Sequence, residues 1–174
     1  MLYYSREVKM LRHLNAYNIH FRKNFYLNLN GGAKLTKSYE NILVAVDGSE
    51  GSELALNRAI QIATKHNATL HLVHVIETYH FPGDTGSVRE TQEELGHELL
   101  DKYVKMSSDK GVSKVEKILE FGHPRTHISK KTAKDINADL IVCGANGLNA
   151  IERMIGSVSE NIVRTAPCDV LVVR

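Results

Sequence analysis

From residue 41 onward, short apolar runs alternate with longer segments in which apolar residues recur at helical spacing. The runs have the length of strands and consist largely of Val, Ile and Leu, which is typical of strands covered on both faces. The predicted strands are 42–46, 69–76, 115–121, 140–143 and 170–173. The predicted helices are 50–66, 88–110, 124–137 and 157–165.

This strict alternation of strand and helix predicts one α/β domain on a doubly wound, five-stranded parallel sheet with helices on both faces. In such sheets ligands bind at the carboxyl ends of the strands, where the strand order reverses. Two residues mark helix starts: Ser49 precedes Glu50 and Glu53 as an N-cap, and Pro124 occupies a first helical position.

The composition is that of a globular protein with one core. The 174-residue chain is 43% hydrophobic and 24% charged, and it contains no apolar run of the length that a membrane helix needs. Cys143 and Cys168 stand apart without a Cys-x-x-Cys pattern, so neither a disulfide framework nor a zinc site is indicated. We therefore expect a cytoplasmic protein with no membrane partner.

The small net charge of +2 conceals two unlike parts of the chain. Residues 1–38 contain seven Lys and Arg against one acid, Glu7, for a charge of +6, and residues 39–174 contain the other 15 basic residues against 19 acidic ones, for −4. Because binding to nucleic acid needs a concentrated basic surface, we expect no nucleic-acid partner for the main domain.

Glycine-rich turns beside two of the predicted elements carry the candidate chemistry. Gly144 and Gly147 follow the fourth strand, and Gly156-Ser157-Val158-Ser159 begins the last helix. Glycines permit close approach of the backbone, and a helix N-terminus offers amide N–H groups and a dipole that favour anions. Neither Gly-x-x-x-x-Gly-Lys-[Ser/Thr] nor Gly-x-Gly-x-x-Gly is present, which excludes a P-loop NTPase and an ordinary dinucleotide-binding protein.

Together with the block Asp47-Gly48-Ser49 after the first strand and the ending Ala166-Pro167-Cys168-Asp169, these motifs resemble the universal stress protein family over residues 39–174. The resemblance implies a Rossmann-like, adenine nucleotide alpha hydrolase-like fold with strand order 3-2-1-4-5. It also implies a stress-response protein that binds ATP, alone or with Mg²⁺, and forms a homodimer through the C-terminal strand.

The family's ATP-binding motif implies a role for each matching residue. The implied ligand contacts are Ala45, Val46, Asp47, Val75, Cys143, Gly144, Gly147, Gly156, Ser157, Val158 and Ser159. Asp47 would accept hydrogen bonds from ribose or base, the residues of the two strands would wall the base, and the glycine-serine turns would hold ribose and phosphates. The segment 148–155 has eight residues where the family pattern has nine, which puts the position of the phosphate clamp in question.

Other functions stay open beside nucleotide binding. A family member with an empty pocket would act as a dimeric interaction module. An adenylate-forming enzyme is suggested only by Lys105-Met106-Ser107-Ser108, which lies in a helical pattern and has no partner motif. No nucleophile has an adjacent base, so we expect slow ATP hydrolysis at most. The histidine pairs at 71 and 74 and at 123 and 127 are expected to be structural or solvated.

Residues 1–38 are predicted to be a basic extension rich in aromatic residues, and they have no counterpart in the family. One interpretation is a basic arm for a membrane surface or RNA, and a second is a transit peptide. The interpretation that we favour is an upstream leader translated from a misassigned start, because Gly31-Gly32 can be encoded by a ribosome-binding sequence and Leu35 by an alternative initiation codon.

Overall fold

The computed structural model describes residues 25–28, 34–77, 87–147 and 155–174. Its strands are β1 (Phe25–Asn28), β2 (Lys34–Lys37), β3 (Asn41–Ala45), β4 (Thr69–Ile76), β5 (Val115–Phe121), β6 (Leu140–Gly144) and β7 (Asp169–Val173). Its helices are α1 (Glu50–His66), α2 (Ser87–Asp109), α3 (Pro124–Thr126), a π-helical stretch (His127–Thr132), α4 (Ala133–Asp135) and α5 (Ser157–Thr165). None of the helices in these ranges is long and apolar enough to cross a membrane.

Five parallel strands form the main sheet, in the order β5-β4-β3-β6-β7. Counted within the sheet this is the order 3-2-1-4-5, so the predicted doubly wound fold is confirmed. The reversal of order lies between β3 and β6, where Val44 is paired with Val142. The carboxyl ends of these two central strands are therefore the place at which a sheet of this topology binds ligands.

The two faces of the sheet bury different side chains because residues alternate along each strand. Ile42 and Val44 pack with Leu56 of α1 and Tyr103 of α2 on one face. On the other face, Leu43, Val73 and Ile141 pack with Ile128 of the π-helical stretch and Ile162 of α5. Strands covered on both faces explain the almost continuous apolar runs in the sequence.

The helix predicted over 124–137 is interrupted by the π-helical stretch, which the sequence pattern does not reveal. The hydroxyl of Ser129 donates to the carbonyl of Arg125, four residues earlier, and contacts Thr165 Oγ1 at 2.7 Å. A side chain that occupies an i−4 carbonyl competes with the backbone amide for it, which gives a local reason for the widened turn.

An antiparallel hairpin precedes the domain, with Phe25 paired to Lys37 and Asn28 paired to Lys34. The sequence analysis predicted no element here, because four-residue strands are too short for an alternating pattern to register. Tyr39 follows the hairpin and is anchored to the domain: its hydroxyl donates to Asp169 Oδ2 at 3.2 Å and its ring packs edge-on against His66.

Candidate functional site

The fold brings three separate parts of the predicted site together at the carboxyl ends of β3 and β6. A Cβ at Gly147 would lie 2.6 Å from Asp47 Oδ2, so the loop after β6 lies directly against the carboxylate that follows β3. The amide of Gly156 donates to the carbonyl of Ala145 at 2.7 Å, which joins the N-terminus of α5 to the same loop. The first of these contacts links residues 100 positions apart in sequence, and the second joins the two ends of the loop between β6 and α5.

Asp47 has one carboxylate oxygen fully engaged by the protein. Its Oδ1 accepts hydrogen bonds from the amide of Ser49 at 3.0 Å and from the Ser49 hydroxyl at 2.5 Å. Its Oδ2 accepts no hydrogen bond from the residues that the structure describes, and it faces Gly147. The arrangement therefore fixes the carboxylate through one oxygen and leaves the other as an acceptor at the sheet edge.

Ser49 has two tasks in this turn. It is the N-cap of α1, as predicted, and its hydroxyl accepts from the amide of Ser52 at 3.2 Å while donating to Asp47. Gly48, between Asp47 and Ser49, has a φ of +84°, a conformation in which glycine carries no steric cost. The block 47–49 thus begins helix α1 and also fixes the orientation of the Asp47 carboxylate.

Two glycines let the loop after β6 approach the first turn of α1. A Cβ at Gly144 would lie 2.6 Å from the backbone of Gly51, and a Cβ at Gly51 would overlap the carbonyl oxygen of Asn146. The sequence analysis missed Gly51, although a glycine in the first turn of an amphipathic helix is itself a signal of close packing. Glycine at position 144 is therefore required by the protein's own packing, before any ligand is considered.

The two serines at the start of α5, where phosphates are predicted to bind, differ in exposure. Ser159 is buried, and its hydroxyl donates to the carbonyls of Ala145 and Gly156, each at 2.9 Å. Ser157 is exposed at the first position of α5, and Val158 is half-buried. A hydroxyl has one proton to donate, so Ser157 is the better placed of the two serines to donate to a ligand.

The strand residues expected to wall a base do not all lie on one face. The side chains of Ala45, Val75 and Cys143 pack on the α5 side of the sheet, with Val158 nearby. Val46 is buried on the opposite side, against α1 and α2, so its side chain cannot share a surface with the other three. Burial raises the pKa of the Cys143 thiol to about 11, which keeps it neutral.

The histidines take part in local hydrogen bonds. His74 Nδ1 lies 2.8 Å from the carbonyl oxygen of Val46, which can only accept, so Nδ1 bears the proton there. His127 Nδ1 makes the same kind of contact with the carbonyl of His123 at 3.1 Å. Burial lowers the pKa of His71. Over the described ranges, no three His, Cys, Asp or Glu side chains are grouped to hold a metal.

The edge strand β7 is connected to the site through the backbone. The amide of Ala145 donates to the carbonyl of Val173 at 2.7 Å, next to the pairing of Gly144 with Val173. All five residues of β7 are half-buried, and Val163 on the adjacent α5 is 53% exposed. The open edge at β7 is thus a partly exposed strand in which four of the five residues are apolar.

Comparison with known proteins shows the family of the chain. The family model of the universal stress proteins matches residues 38–174. A Staphylococcus aureus protein assigned to the universal stress proteins is 49% identical over 141 residues, which cover 79% of this chain and 85% of that protein.

Solved structures give the same result. The universal stress protein UspA from Lactobacillus plantarum has 28% identity and a TM-score of 0.73, covering 80% of this chain and all of that one. A universal stress protein solved in complex with cAMP has 28% identity and a TM-score of 0.64, covering 79% of this chain and 99% of that one. The chain described here belongs to the universal stress protein family.

Proposed function

We propose that this protein binds ATP or a related adenine nucleotide at the carboxyl ends of β3 and β6, and that it acts in the stress response through ligand-dependent conformation and dimerisation. The observation that carries the proposal is the position of Asp47 Oδ2, an acceptor fixed beside Gly147 in the same loop whose Ala145 carbonyl accepts from Gly156 at the start of α5. The cAMP complex of a relative supports the adenine nucleotide class.

The groups at this edge fit the two polar ends of a nucleotide. Asp47 Oδ2 can accept from ribose hydroxyls or from an amino group of the base. The first backbone bond of α5 runs from the amide of Glu160 to the carbonyl of Gly156 at 2.9 Å, so the amides of Ser157, Val158 and Ser159 have no carbonyl within the helix. These amides and the Ser157 hydroxyl form a suitable donor set for phosphate oxygens.

In this proposal the remaining predicted residues line the binding site for the base. Ala45, Val75 and Cys143 offer an apolar surface on the α5 side of the sheet, while Val46 contributes through its backbone alone. Bound ATP would supply the ligand signal, and an accompanying Mg²⁺ would be held by its phosphates. We propose that the protein acts in the cytoplasm and that turnover of ATP is slow at most, because the role lies in binding.

The site and the proposed dimer edge share one loop. Because Ala145 is bonded both to Val173 of β7 and to Gly156 of α5, a ligand that moves the N-terminus of α5 also acts on the edge strand. A two-fold contact through β7 would cover an exposed strand edge and use the same surface twice. This gives a physical route from nucleotide binding to assembly.

Calorimetric titration of ATP, AMP, cAMP and GTP into the wild type and into Asp47→Ala tests the proposal. We expect adenine nucleotides to bind more tightly than GTP and Asp47→Ala to weaken ATP binding by at least about tenfold, the effect of one lost hydrogen bond to a charged group. Asp135→Ala, which removes an exposed carboxylate on α4, is the matched control and should leave affinity unchanged. A wild type that binds no adenine nucleotide at millimolar concentration would instead favour a nucleotide-free interaction module.

A further inference from the structure

Hydrogen bonds among polar side chains connect helix α2 through α1 to the turn that holds Asp47, outside the proposed nucleotide contacts. Ser52 on α1 is 4% exposed and Tyr103 on α2 is fully buried. Polar groups this deeply buried are costly unless they are hydrogen-bonded, so their partners indicate what they stabilise.

Ser52 spans the turn that holds Asp47. Its hydroxyl oxygen accepts from the amide of Asp47 at 3.3 Å and donates to the carbonyl of Ser49 at 2.9 Å. Both ends of the three-residue turn are therefore tied to one side chain. Because Ser49 in turn donates twice to Asp47 Oδ1, the Ser52 hydroxyl fixes the backbone from which the carboxylate is aimed.

Tyr103 closes the network from the other helix. Its hydroxyl donates to Glu53 Oε1 at 2.9 Å, and Lys102 donates to the same oxygen at 3.0 Å. Glu53 follows Ser52 on α1, and its amide donates to the Ser49 carbonyl at 3.0 Å, the same carbonyl to which the Ser52 hydroxyl donates. The Tyr103 hydroxyl is thereby connected through Glu53 to the turn that Ser52 spans.

We propose that Ser52 and Tyr103 are positioning residues that couple the carboxylate of Asp47 to helix α2, so that Asp47 presents Oδ2 to the nucleotide. The inference rests on the proposed function, since it assigns to these residues the regulation of that same site. It also predicts that nucleotide binding affects α2, although no residue of this helix is among the proposed ligand contacts.

Ser52→Ala tests the inference, and Ser129→Ala is its matched control. Both changes remove a buried serine hydroxyl, but Ser129 lies in the π-helical stretch and is bonded to Arg125 and Thr165. We expect Ser52→Ala to weaken ATP binding by about fivefold or more and Ser129→Ala by less than about twofold, at similar losses of stability in urea. Tyr103→Phe should weaken binding in the same direction, and it carries the test if Ser52→Ala does not fold.

Hydrogen exchange of the Ser49 amide in the nucleotide-free protein provides a second readout, because this amide donates to Asp47 Oδ1. Faster exchange in Ser52→Ala, with no change in Ser129→Ala, supports positioning even if the wild type binds no ATP and the proposed function fails. Equal affinities and equal exchange rates in the two variants would overturn the inference while leaving nucleotide binding by the wild type intact.

Discussion

Replacing Gly147 with alanine tests whether the loop after β6 determines the position of Asp47. Among the described residues, the glycines with positive φ are Gly48, Gly111 and Gly122, so alanine at 147 needs no unusual backbone conformation. The new Cβ would lie 2.6 Å from Asp47 Oδ2, whereas ordinary van der Waals contact begins at 3.4 Å. The carboxylate must therefore retreat by the difference, about 0.8 Å.

This retreat is opposed by the hydrogen bonds that Asp47 Oδ1 accepts from the amide and hydroxyl of Ser49. Loss of one bond to a charged group costs about 1.5–3 kcal/mol. Since the displaced oxygen is the one proposed to meet the ligand, we expect ATP affinity in Gly147→Ala to fall at least about tenfold while the protein stays folded.

Calorimetry would measure this affinity, and urea unfolding would measure stability. Gly96→Ala is the control, because its Cβ would meet Leu119 Cδ1 at 2.8 Å, a similarly close contact with a flexible, half-buried side chain on β5. Its affinity should stay within about twofold of the wild type, since no proposed ligand contact moves. Wild-type ATP affinity in Gly147→Ala would refute the placement of the ligand beside Asp47.

Three further predictions concern packing, titration and assembly. Gly51→Ala should lower the free energy of unfolding by about 1–3 kcal/mol in urea, because its Cβ meets the rigid carbonyl of Asn146; unchanged stability would contradict the close approach. Burial raises the pKa of Cys143 from 9.0 to about 11, so the thiol ionises in the unfolded chain before it does in the folded one as pH rises. Wild-type stability should therefore fall more steeply between these two pH values than the stability of Cys143→Ala, and parallel curves would argue against the raised pKa. Val172→Lys should sediment as a monomer with unchanged helix content at concentrations where the wild type is a dimer, and a monomeric wild type would exclude the proposed edge contact.

Most of the fold could be predicted because its signals are local and repeated. The apolar runs of the central strands, the capping Ser49 and Pro124 at a helix start all appear in the structure where the sequence pattern indicates them. The π-helical stretch was not predicted, because the bond from the Ser129 hydroxyl to the Arg125 carbonyl leaves no mark in the spacing of apolar residues.

The candidate site was predictable as a set of motifs and less so as a geometry. Adjacent residues Ala45 and Val46 were expected to wall the same base, but strand alternation sends them to opposite faces. Gly51 was missed because its role arises from contact with the distant loop after β6. Ser52 was missed because its hydroxyl bonds to the backbone of Asp47 and Ser49, which the apolar pattern does not reveal. Residues 148–154, which make up most of the eight-residue spacer between Gly147 and Gly156, lie outside the described residues. The effect of the shorter spacer on the phosphate site therefore stays a prediction.

Amide chemical-shift mapping of the protein during an ATP titration tests the central claim most directly. The account predicts saturable shifts at three separate sequence positions that the fold brings together: Asp47, residues 144–147 and residues 156–159. It also predicts that these shifts disappear together in Asp47→Ala, whose spectrum should otherwise remain that of the folded domain. Saturable shifts confined to any other surface, or no shifts at millimolar ATP, would contradict the claim that this edge of the sheet binds nucleotide.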